Sequence, residues 1–95
     1  MNYNPKPIDI SDVQLSPELL ELTEAIAENV HNVYAKSRMD EGWIYGEKRD
    51  DDKKTNPTLI PYSLLPESEE DYDRNTALGT LKLIIKLGYR IERNI

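Results

Sequence analysis

The sequence predicts a mainly α domain in which two amphipathic helices flank a long packed loop. Three observations predict it. Apolar residues step by three and four through Leu19, Leu22, Ile26, Val30 and Val33, which is the spacing of one helix face, and Leu20 and Ala27 widen it. A second apolar side is formed by Tyr72, Ala77, Leu78, Leu81, Ile84, Ile85 and Leu87. Between them lies the stretch from Gly42 to Pro66, far longer than a helix–helix connection of about 2–8 residues. It holds the only tryptophan, two of the four glycines and three of the six prolines, so it reads as a loop packed by its own side chains.

In chain order, residues 1–15 form an N-terminal arm, because Pro5 and Pro7 prevent a helix, while Ile8, Ile10, Val13 and Leu15 pin it to the surface. Residues 16–95 form the domain. Ser16 is an N-cap, and Pro17 follows at the first helical position, where its missing N–H costs nothing. The first helix runs to about Met39, with Gly42 as a left-handed C-cap. In the loop, Trp43-Ile44-Tyr45 and Leu59-Ile60 are each short enough and apolar enough for a strand, and proline confines any ladder to an edge. Trp43, Ile44, Tyr45, Leu59, Ile60, Tyr62, Leu64 and Leu65 anchor its two ends, and the middle, Glu47 to Asn56, reads as solvated and mobile. Ser68 caps the second helix in an approximate capping box, Gly79 weakens its interior and Gly88 ends it. Tyr89 to Glu92 alternates like a short strand.

Ninety-five residues make one domain with a modest core. A net charge of −6 argues against nucleic acid or an anionic membrane as the main partner. With no cysteine there is no disulfide and no thiolate metal site. No apolar run reaches the length of a membrane span or a signal-peptide core, so the chain reads as soluble and cytoplasmic.

The ordered series HxxYA, GWxYG, NPxLxPYxxLP, DR and LGYRI, spread from Ala27 to Ile91, resembles the ryanodine-receptor repeat, the RyR domain. The resemblance implies an antiparallel helix pair with small β elements in the loops, as in a free-standing single repeat. It implies a binding or sensing module and not a channel. In ryanodine receptors the repeats pair in tandem and are associated with adenine-nucleotide binding between two aromatic residues. The implied partners here are therefore an adenine nucleotide or an ADP-ribose-like ligand, and a second copy of the chain in a homodimer. The family keeps histidine at His31, which the resemblance makes a tie between helix and loop. It usually has tryptophan at Tyr34 and a longer side chain at Gly79.

Each candidate residue also has a plain packing reading. His31 is the only histidine, with neither a GxSxG elbow nor a second histidine to make it a catalytic or metal residue. A small hydrolase built on it is the weakest alternative; a scaffold for protein partners is the stronger one. Glu47 with Asp50, Asp51 and Asp52 lacks the alternate oxygen spacing and the glycine of a calcium loop. No phosphate-cradling glycine motif occurs, and no cofactor is expected. Trp43, Tyr45 and Tyr62 read as loop-organising aromatics, and Arg74, beside Asp73, as a structural clamp. Tyr34 and Arg38, one turn apart, are either a half-buried tyrosine beside a solvated arginine or a stacking platform with an anion-binding arm. The resemblance favours the second.

Overall fold

The computed structural model describes residues 1–94. Helix α1 (Pro17–Asp40) and helix α2 (Glu67–Lys86) are the long elements. Between them, β1 (Ile44–Tyr45) pairs in parallel with β2 (Thr55–Asn56), Ile44 opposite Thr55, and a single 3-10 turn (Tyr62–Leu64) follows. The expectation of a mainly α fold with short β elements holds. Two strand assignments do not. The partner of β1 is Thr55–Asn56 and not Leu59–Ile60, because Leu59 turns back to the Asn56 carbonyl and the Ile60 carbonyl is taken by a side chain of α1. Tyr89 to Glu92 forms no strand: Ile91 is half-buried beside Leu19 and Leu22 of α1 instead.

Both helix ends follow from glycine. Gly42 sits at φ +95° and Gly88 at φ +96°, a region that a side chain disfavours. In each case the glycine N–H and the next N–H turn back to the last helical carbonyls: Gly42 to Met39 and Trp43 to Arg38, then Gly88 to Ile85 and Tyr89 to Ile84. This is the Schellman arrangement, which satisfies carbonyls the helix leaves open. At the start of α1 the Ser16 hydroxyl accepts from the Leu19 N–H at 3.3 Å. Ser68 does not cap α2. The helix begins at Glu67 after Pro66, whose carbonyl accepts from Glu69 and Glu70, and the acidic first turn meets the positive dipole end.

The helices meet at two alanines. Ala27 is 0% and Ala77 1% exposed, and they share a buried cluster with Tyr62 and Leu65. Small side chains bring the two backbones close, so the seam on α1 runs along Thr23, Ala27 and His31. This corrects the expected apolar stripe: Leu19, Ile26 and Val30 are half-buried at its side, while Leu20, Leu22 and Val33 are exposed. On α2, Ala77 and Leu81 are buried, but Tyr72 and Leu87 are exposed. In the loop, Trp43, Leu59, Tyr62 and Leu65 are buried, whereas Ile44, Tyr45 and Leu64 face solvent.

The middle of the loop is solvated as expected, exposed at residues 47–49 and 51–54, and carries a set of local hydrogen bonds. Asp50 and Thr55 exchange both main-chain bonds at 3.0 Å. The Asp50 carboxylate accepts from the N–H groups of Asp52 and Lys53, an aspartate-nucleated turn. Lys54 takes a positive φ of 54° and its ammonium caps the Glu41 carbonyl at 2.9 Å.

Residues 1–15 carry no helix or strand, yet Asp12 pairs with Lys86 at 2.9 Å. Ile10 Cδ1 stands 3.9 Å from where a Cβ on Gly79 would lie. An added methyl there fits in ordinary contact, so Gly79→Ala should raise stability by about 0.5–1 kcal/mol through helix propensity. At Gly46 the same atom would lie 2.6 Å from Thr55 Cβ, so Gly46→Ala should destabilise. Denaturant unfolding of the two variants measures both signs.

Candidate functional site

Where the first turns of α2 pass the second half of α1, the loop closes a cleft of about 540 Å³. Its floor is His31, which is 4% exposed. Nε2 of His31 lies 2.7 Å from the Ile60 carbonyl oxygen. A carbonyl only accepts, so Nε2 carries a proton; in the Nε2–H tautomer Nδ1 is the acceptor. Among the described residues no protein group pairs with Nδ1, and it is not sealed from solvent. The His31 ring sits 6.4 Å from that of Tyr34 and 6.2 Å from that of Tyr62, tilted against both.

Tyr34 forms one wall. Its hydroxyl accepts from Asn56 Nδ2 at 3.0 Å, while Asn56 Oδ1 accepts from the Thr58 N–H and hydroxyl. Asn56 is buried and bonds through both its amide oxygen and its amide nitrogen, which makes it the latch between loop and helix. The opposite wall is α2, with Glu69, Tyr72 and Asp73, and Arg49 reaches in from the loop.

Arg38 is not in the cleft. Its guanidinium lies 5.6 Å from the Tyr34 ring centre and 5.7 Å from that of Trp43, with Glu41 at 4.0 Å. Arg49 stands 5.5 Å from the same Trp43 ring and pairs with Asp51 at 3.0 Å. Rings and cations thus alternate, Tyr34, Arg38, Trp43, Arg49, each contact worth about 0.5–1 kcal/mol where it is exposed. Trp43 reaches this position because it is the residue after the left-handed glycine that ends α1. Of the two arginines, Arg49 and not Arg38 is among the residues that line the cleft. Tyr45 lies on β1, exposed and away from the cleft lining.

Arg74 and Tyr62 form a separate clamp on the other side of the helix seam. Arg74 donates to both Glu24 oxygens at 2.7 and 3.0 Å, a bidentate bridge from α2 to α1, and to Asp71 at 3.0 Å. The Tyr62 hydroxyl donates to Glu24 Oε1 at 3.1 Å. Arg74 holds the Glu24 carboxyl below its ordinary value. Burial, then the bond to Glu24, pushes the Tyr62 phenol up to about 12.

Arg49, Asn56, Thr58, Glu69, Tyr72 and Asp73 belong to the site but not to the expected one. Only Asn56 had a readable signal: Asn-Pro-Thr is a turn in which asparagine bonds its own main chain two residues on. Among the described residues no group of three metal-ligating side chains is placed to hold an ion, and no helix is long and apolar enough to cross a membrane.

Two pH responses follow. Tyr62 favours the fold below pH 10, and that share is lost as pH rises through about 12, because the unfolded chain gives up the proton first. Glu24 favours the fold above about pH 4.5, and that share is lost as pH falls through its lowered folded value. Denaturation midpoints against pH should show both limbs, the alkaline one flattened in Tyr62→Phe and the acid one in Glu24→Gln.

A family model described as RyR domain matches residues 3–93.

Proposed function

The chain belongs to the RyR domain family, and on that premise we propose that it is a non-enzymatic binding module whose cleft takes an adenine nucleotide or an ADP-ribose-like ligand. The observation that carries this reading is the cleft itself: a tyrosine ring on each wall, an arginine at one edge and a buried histidine acceptor in the floor. An aromatic face contributes about 1–3 kcal/mol per stacked base, and a guanidinium bonds phosphate through two donors. Volume supports it too, since small-molecule sites run to about 300–1,000 Å³. We read the helices as antiparallel, with Tyr34 across from Glu69 and Asp73 and Ala27 near Ala77. A hydrolase on His31 fits poorly, because Nε2 is spent on the Ile60 carbonyl.

The second reading, a homodimer or protein scaffold, is favoured by one observation. Leu22 and Val33 are exposed about three turns apart on one face of α1. A closed two-fold pair is the commonest way to cover such a face. A concentration-independent monomer mass in sedimentation equilibrium rules the dimer out.

Titration calorimetry with ATP and ADP-ribose tests the ligand. Arg49→Ala should weaken binding about tenfold with little change in Tm, since its ion pair is exposed. Arg38→Ala should lower Tm and leave affinity nearly unchanged, because that arginine is stacked outside the cleft. No heat with either ligand at millimolar concentration contradicts the reading.

A further inference from the structure

Five acidic residues open α2, Glu67, Glu69, Glu70, Asp71 and Asp73, and the last four divide sharply. Glu70 and Asp71 are taken by Arg74, at 4.0 and 3.0 Å. Glu69 and Asp73 line the cleft, and among the described residues neither makes an ion pair or a side-chain hydrogen bond. The helix dipole accounts for an acid in the first turn, such as Glu69, but its effect has faded by Asp73 in the second. The two stand four residues apart, so they share one helix face about 5–6 Å apart at Cβ. Tyr72 flanks them, and His31 faces the same cavity with an unpartnered acceptor nitrogen although its side chain is more than nine-tenths buried. Among the described residues the two carboxylates offer only acceptors here, and the Tyr72 hydroxyl can both donate and accept.

Acceptor-only carboxylates repel phosphate and bind hydroxyl groups. The one cation among the described residues lining the cleft, Arg49, reaches in from the loop, whereas the carboxylates lie on α2. We infer that Glu69 and Asp73 recognise the vicinal diol of a ribose, with phosphate turned toward Arg49, so that the site selects ribonucleotides over deoxyribonucleotides. Carboxylate-to-ribose bonding is the same chemistry that dinucleotide folds use for a 2′-hydroxyl. The inference rests on the nucleotide reading above and gives it an orientation. It also sets a preference for few phosphates, because charge beyond what Arg49 neutralises faces two carboxylates.

The test is calorimetric titration of AMP and 2′-deoxy-AMP into the wild-type chain and into the Glu69→Ala/Asp73→Ala double variant, with thermal melts to show that both are folded. Hydrogen bonds to charged groups correspond to about tenfold or more in affinity. The expected result is AMP at least about tenfold tighter than its deoxy analogue in wild type, and a ratio near one in the variant. Equal affinities in wild type overturn the diol assignment and leave the nucleotide reading standing. Discrimination that persists in the variant overturns the role of these two carboxylates. No binding of either nucleotide overturns the nucleotide reading, and the diol assignment with it. Should the double variant fail to fold, Asp73→Asn alone decides: unchanged discrimination there counts against the assignment.

Discussion

Burying a histidine and a main-chain carbonyl is tolerable only if they meet, since an unmet polar group costs about 1–3 kcal/mol. His31 and Ile60 meet at 2.7 Å, and the long loop is arranged around that contact. It holds the loop against the same α1 seam that carries Ala27, so the segment leading to Tyr62 and Leu65 can enter the core. It also fixes the tautomer and leaves the second ring nitrogen as the floor of the cleft. Asn56 repeats the device one step earlier in the loop, tying it to Tyr34. Two side-chain bonds do here what a second sheet or a disulfide does in other small domains.

Charge is handled in the same economical way. With a net charge of −6, the chain places three of its five arginines, Arg38, Arg49 and Arg74, where each faces more than one partner. Arg74 joins Glu24, Asp71 and Glu70 across the helices. Arg38 and Arg49 lie against aromatic rings, and the second also enters the cleft. Within the cleft, the Glu69 and Asp73 carboxylates on α2 have no ion-pair partner among the described residues.

The helices and three of their four ends were legible in the sequence because their signals are local, Ser16-Pro17 at the start of α1 and Gly42 and Gly88 at the two C-termini, whereas Ser68 misplaced the start of α2. The seam was not. Periodicity points to the bulkiest residues, Leu22 and Val33, whereas the closest approach uses Ala27 and Ala77, which a hydrophobicity pattern underweights. In the loop, Leu59-Ile60 has the composition of a strand and Thr55-Asn56 does not, yet main-chain pairing went to the second, because Ile60 had a stronger claim from His31. For the site, Tyr34 was visible as an aromatic on a polar face. Arg49 was hidden in a charged run whose folding depends on Asp50, and Tyr72, Glu69 and Asp73 were hidden by looking like ordinary helix-start residues. Only the three-dimensional crossing of α1 and α2 brings them together.

The central claim, that a part-buried His31–Ile60 bond holds the loop as one wall of a preformed cleft, is tested most directly by the imidazole itself. A long-range ¹H–¹⁵N correlation spectrum of the labelled protein reports which ring nitrogen of His31 is protonated. The account predicts a proton on Nε2, with an Hε2 resonance slow enough in exchange to be seen. Averaged nitrogen shifts, or protonation at Nδ1 alone, would mean that the ring does not hold the Ile60 carbonyl and that the loop is anchored by something else.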